Sequence, residues 1–137
     1  MITTAEQNFS GYNALALAFV GDAEYSLRVR KMLAERSNIH VNGLHKAAVK
    51  YVCAAAQATA AAAILPLLSE GEAAVYRRGR NAHSSHTPKG ASEAQYHAST
   101  GLEALFGYLS LVGDEHRLNE LFDLAVQTIE QAENSKN

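Results

Sequence analysis

Two acidic residues stand in apolar company. Asp22 lies in "FVGDAEY", straight after a glycine and after the uncharged run "ALALAF". Glu103 interrupts "STGLEALFGYL", where Leu102, Leu105, Phe106 and Leu109 mark a core helix. An ionised carboxylate buried without a partner is costly. Two chemistries relieve that cost. Each acid can pair with an arginine or a helix end, or the two together can hold a hard divalent cation such as Mg²⁺, which needs one or two carboxylates and keeps several waters. One turn from Glu103 lie Ser99, Thr100, Phe106 and Gly107, mostly small, so another backbone or a ligand can come close.

No side chain reads as a covalent nucleophile. Cys53 sits in an alanine-rich stretch and is expected in the core. His83, His86 and His97 fall in or beside a loop without metal-ligand spacing. Metal-assisted hydrolysis needs no protein nucleophile, because water attacks while the cation stabilises charge on the phosphate and the leaving oxygen.

The elements that must position these acids are helices. Asn13 is an N-cap candidate for a first helix running to about Glu35. A second helix is expected from about Asn42 to Leu65, stopped by Pro66. Leu44, Ala48, Tyr51, Ala55, Ala58 and Ala62 form its apolar face, with Lys46, Lys50 and Gln57 on another. Ser69 and Glu72 have capping-box spacing and open a third helix to about Gly79. The segment "RNAHSSHTPKGAS" reads as a loop. A fourth helix covers about Glu93 to Val112, and a last amphipathic one runs from Asp114 to about Ala132. No segment alternates like a strand. The expectation is an all-α single domain over 1–137, with its core at about 13–132.

The bulk numbers agree. The chain has 137 residues, 47% of them apolar and 19% charged, enough for one core and too few charges for disorder. A single cysteine excludes an intramolecular disulfide and is compatible with a reducing cytoplasm. No secretory signal and no membrane span are expected: the run from Ala14 to Val20 is short, and "CAAAQATAAAAILPLL" is alanine-rich and carries Gln57 and Pro66. Net charge is −2, yet between Arg28 and Lys89 ten basic residues face only three glutamates. After residue 104 six acids face Arg117 and Lys136. Such polarity suits a basic face toward phosphates, or plain solvation of helix surfaces.

Taken together, "LALAFVGDAEYSLRVR" and "STGLEALFGYL" resemble the two catalytic signatures of the ribonuclease III fold. "LHKAAVKYVCAAAQA" and "RRGRNA" between them, with no double-stranded-RNA-binding domain, resemble its short branch, Mini-ribonuclease III. The resemblance spans roughly residues 13–130. It implies a ribonuclease III-like helical domain and a two-fold homodimer, with Phe19 a plausible anchor. It also implies a Mg²⁺-dependent endoribonuclease that cuts double-stranded RNA to leave 5′-phosphate and 3′-hydroxyl ends. Asp22 and Glu103 match the metal-holding, catalytic acids. Longer family members carry two more acids, where this chain has Ala18 and Thr100.

Arg78, Arg80, Asn81, His83 and Lys89 match the segment expected to lie along the RNA, with Lys46 and Lys50 as a second candidate patch. The implied substrate is precursor large-subunit ribosomal RNA, in the cytoplasm; a ribosomal protein partner is not named by the sequence. Two other classes compete: a non-catalytic RNA-binding or ribosome-assembly module with the same fold, and a purely structural helical dimer.

Overall fold

The computed structural model describes Phe9 and residues 11–36, 40–82 and 91–136. These residues form six α-helices and a short 3₁₀ turn: α1 (Ala14–Arg36), α2 (Val41–Val52), α3 (Ala54–Ile64), the turn Leu65–Leu67, α4 (Glu70–Asn81), α5 (Glu93–Val112) and α6 (Glu115–Ser135). No strand is present among them, so the all-α reading holds.

Local chemistry sets most helix ends. The Asn13 side chain accepts from Leu15 N at 2.8 Å and starts α1. Ser69 and Glu72 close a reciprocal capping box on α4, and Ser92 and Gln95 close a second one on α5. Gly113, at φ 77°, ends α5 in the left-handed conformation that glycine adopts without cost. Asp114 then caps α6 by accepting from Arg117 N.

Helix α5 is the centre of the fold. Leu102, Ala104, Leu105 and Phe106 are fully buried, and α1, α3 and α4 pack around them. From α1 comes a one-in-four row, Leu17, Gly21, Tyr25, Val29 and Leu33. The Tyr25 ring meets Phe106 and Phe122 edge-on, at 5.4 and 5.8 Å. Leu118, Leu121, Ala125 and Ile129 close the core from α6.

The expected second helix is two helices. Cys53, at ψ 155°, ends α2 and caps α3, and the two axes bend by 48°. The break re-phases everything after it. Ala55 and Ala62, expected inside, are exposed, while Gln57, Ala60, Ala61 and Ile64 are buried. Cys53 itself is exposed rather than in the core. Two side chains satisfy the carbonyls that the break frees. The Tyr25 hydroxyl donates to Tyr51 O at 3.0 Å, and Gln57 Nε2 donates to Val52 O at 3.3 Å.

No single described helix is long and apolar enough to cross a membrane; α2 with the segment through Leu67 passes only as a bent pair.

Charge polarity along the chain is spent partly inside it. Arg28 donates to Glu115 at 2.8 Å and to Asn119, and Arg36 donates to Glu130 at 2.7 Å. The basic first helix is thus tied to the acidic last one. Arg117 grips both carboxylate oxygens of Glu72 and the Leu67 carbonyl, tying α6 to α4.

Candidate active site

Four glycines bring the site together. A Cβ on Gly21 would stand 1.6 Å from the Glu103 carbonyl oxygen, and one on Gly107 would stand 1.8 Å from the Leu17 carbonyl oxygen. Helices α1 and α5 therefore cross backbone to backbone. On the other side, Gly79 of α4 lies against Thr100, Gly101 and Ala104, and Gly101 lies against Tyr76. The small neighbours of Glu103 admit the partner backbones that the sequence allowed for.

With Gly21 pressed into that crossing, Asp22 is turned out to its rim. The expectation that Asp22 is buried is corrected: it is exposed. Its apolar neighbours Leu15 and Phe19 are also exposed, so apolar company did not mean core. Glu103 is half-buried and meets Asp22 closely enough for a hydrogen bond between the two carboxyl groups. Neither acid is ion-paired with a lysine or arginine among the described residues. The arginine-pairing alternative is thereby removed.

Burial, then the charge and hydrogen bond of Asp22, push the Glu103 carboxyl up to about 8, with Gln57 pulling the other way. Two acids forced together in this way are a familiar mark of functional sites.

Gln57, which the helical pattern put on a solvated face, is 2% exposed. Its Nε2 lies 3.5 Å from Glu103 Oε2. The signal for it was present: one long polar side chain within "AAAQATAAAA". An unbroken helix from Asn42 to Leu65 would turn it away from the core; the break at Cys53 turns it in.

The donor set fits a hydrated hard cation. Two adjacent carboxyls, one exposed and one half-buried, leave most coordination to water and substrate oxygens, as Mg²⁺ prefers. No group of three or more His, Cys, Asp or Glu residues among the described residues offers a rival metal cage. Ala18 and Thr100, the two departures from the longer pattern, are both buried, and the Thr100 hydroxyl turns back to the Tyr96 carbonyl at 3.0 Å.

The other candidate residues divide. Helix α4 continues through Asn81, beyond the expected end at Gly79, so Arg80 and Asn81 are helical and exposed. The Gly79–Gly101 crossing puts this basic end beside the helix that bears Glu103. Arg78 donates to the Tyr12 carbonyl and so ties α4 to the start of α1. Lys46 is exposed on α2. Lys50 is exposed and borders a cleft that Glu130 and Glu133 also line. His83 and Lys89, with His86, lie outside the described residues.

Residues 15–114 match the ribonuclease III domain family. The chain is 50% identical over 117 residues to the Mini-ribonuclease 3 of Thermoanaerobacter sp. strain X514, covering 85% of this chain and 82% of that one. It is 48% identical over 119 residues to the Mini-ribonuclease 3 of Symbiobacterium thermophilum, covering 87% and 92%. A crystal structure of a Fusobacterium nucleatum protein superposes with a TM-score of 0.77 at 26% identity, covering 85% of this chain and 93% of that one. Helical architecture and site together define a ribonuclease III-type catalytic domain. The chain belongs to the Mini-ribonuclease III family of endoribonucleases.

A pH dependence follows from Glu103. Its carboxyl loses a proton near 4.5 when unfolded and near 8 when folded. The folded state therefore holds the extra proton between these values. This group favours the metal-free fold below pH 4.5, and its contribution is lost as pH rises through about 8. Melting temperatures of metal-free protein should fall across that window, and Glu103→Gln should flatten the slope. A cation held by Glu103 would compete with the same proton, so Mg²⁺ affinity should rise toward pH 8, as titration calorimetry at several pH values would show.

Proposed function

We propose that the chain is a Mg²⁺-dependent, homodimeric endoribonuclease of double-stranded RNA, acting on precursor large-subunit ribosomal RNA and leaving 5′-phosphate and 3′-hydroxyl ends. The observation that carries this reading is the meeting of Asp22 and Glu103 at an open surface, free of basic partners among the described residues.

When bound there, Mg²⁺ supplies Lewis-acid stabilisation of the scissile phosphate and activation of the attacking water. Asp22 and Glu103 would hold the ion at the α1–α5 crossing. Arg80 and Asn81, at the end of α4, offer a cation and an amide to the RNA backbone on the α5 side of the site. A-form RNA is read by shape, phosphates and 2′-hydroxyls, which suits long polar side chains around the site.

The dimer uses the outer face of α1. Leu15, Phe19 and Leu27 are 41%, 82% and 49% exposed on the side of α1 away from the core row, and Tyr12, 47% exposed, lies just before the helix. A two-fold partner would cover this stripe and set two carboxyl pairs beside one interface, one for each RNA strand. Phe19→Asp should convert a dimer into a monomer in analytical ultracentrifugation; a variant that still sediments as the wild type would place the interface elsewhere.

The direct test is cleavage of a duplex RNA. Turnover should stop in EDTA and return with Mg²⁺, and the products should accept 3′-end ligation without prior phosphatase treatment. Cleavage that persists in EDTA would overturn the metal-dependent reading.

A further inference from the structure

Gln57 is the buried polar side chain that packing does not explain. It stands in a helix that is otherwise mostly alanine, and it is 2% exposed. An apolar side chain there would fill the same space and bury no side-chain polar atom, at the cost of the donor to the Val52 carbonyl. Instead, Gln57 Oε1 is buried with no hydrogen-bond donor, one of two such atoms among the described residues. A buried acceptor without a donor is a cost that folds usually avoid.

Its amide nitrogen has two acceptors within reach. One is Val52 O, a carbonyl freed by the break at Cys53, at 3.3 Å. The other is Glu103 Oε2 at 3.5 Å. The break thus serves two ends: it turns Gln57 inward, and it supplies the carbonyl that fixes the amide plane. With that plane fixed, Nε2–H is aimed at the carboxyl group from the side of α3, while Asp22 meets the same group from α1.

We propose that Gln57 is a positioning residue, whose Nε2 holds the Glu103 carboxylate in the orientation that lets it share a cation with Asp22. This rests on the metal-holding role of Glu103 given above. Gln57 touches neither the ion nor the RNA; it acts through Glu103. Outer hydrogen-bond partners of metal-holding carboxylates commonly matter to metal affinity by about ten- to hundredfold.

The test uses Gln57→Leu and Gln57→Met, which keep the volume and remove the hydrogen bonds, with Asp22→Asn as reference. Mn²⁺ is titrated into RNA-free protein and followed by electron paramagnetic resonance. Duplex RNA affinity is measured in EDTA, and melting temperature is measured without metal. The Gln57 variants should bind Mn²⁺ about tenfold or more weakly. Their RNA affinity in EDTA should match the wild type, and they should stay folded without metal, because the lost bond to Val52 O is offset by removal of the unpartnered Oε1. Wild-type Mn²⁺ affinity in a folded Gln57 variant would overturn the inference, provided that Asp22→Asn weakens binding. If Asp22→Asn also binds Mn²⁺ normally, the metal-site reading itself fails. Unfolding of both Gln57 variants would overturn the inference as well, because it would make the amide a structural tie.

Discussion

Asp22→Asn and Glu103→Gln should each yield a folded protein that binds duplex RNA and cuts it at least about a hundredfold more slowly, the loss of roughly 3 kcal/mol in the transition state. The substitutions keep shape and remove charge. Asp22 is exposed, so its replacement disturbs no packing. Glu103 is held against Asp22 with its carboxyl raised to about 8, so ionising it strains the metal-free protein. Glu103→Gln removes that strain. At pH values above 8 the variant should melt at a higher temperature than metal-free wild type while losing turnover. Opposite signs in stability and activity distinguish a site that spends stability on function from a structural acid. Single-turnover cleavage and calorimetry read the two quantities separately. Intact turnover in either variant would remove that residue from the chemistry.

Gly21→Ala should prevent stable folding. The added methyl would occupy the position of the Glu103 carbonyl oxygen, 1.6 Å away, and would also stand 2.7 Å from Gly107 N. Both obstacles are backbone, so no side chain can swing aside; α1 and α5 must separate along the crossing that carries the core. The expected cost is about 4 kcal/mol or more, at the severe end for single substitutions and a large share of a typical 5–15 kcal/mol stability. Gly71→Ala is the control: nothing lies within 4 Å of its added methyl, and helix propensity favours alanine by about 0.5–1 kcal/mol. Urea unfolding of the two variants should therefore shift in opposite directions. A Gly21→Ala protein as stable as the wild type would refute the close crossing and, with it, the geometry of the acid pair.

Much of the helical pattern is legible in the residue order because helix ends and helix faces are set by near neighbours. Asn13, the Ser69–Glu72 pair and the Glu93–Val112 helix are visible from spacing alone. The two acids were visible as anomalies, charged side chains where the period called for apolar ones. What spacing cannot distinguish is which apolar face turns inward. On α1, Leu17, Tyr25 and Val29 enter the core, while Leu15, Phe19 and Leu27, equally apolar, do not. Asp22 belongs to the second group, hence its exposure. Arg28 and Arg36 looked like part of a basic face until their acidic partners on α6 appeared in space.

The sequence by itself determined the all-helical class, the caps at Asn13 and Ser69 and the two acids that stand out from their helices, since each depends on residues within about a turn of one another. Tertiary structure decided the rest. The break at Cys53 carries neither proline nor glycine; it exists because α2 packs on α1 while α3 packs on α5 and α6, and because Tyr25 and Gln57 satisfy the freed carbonyls. The meeting of Asp22 with Glu103, and the turning of Gln57 toward them, depend on how closely α1 can approach α5. That distance is set where Gly21 and Gly107 face each other, and no periodicity along one chain contains it.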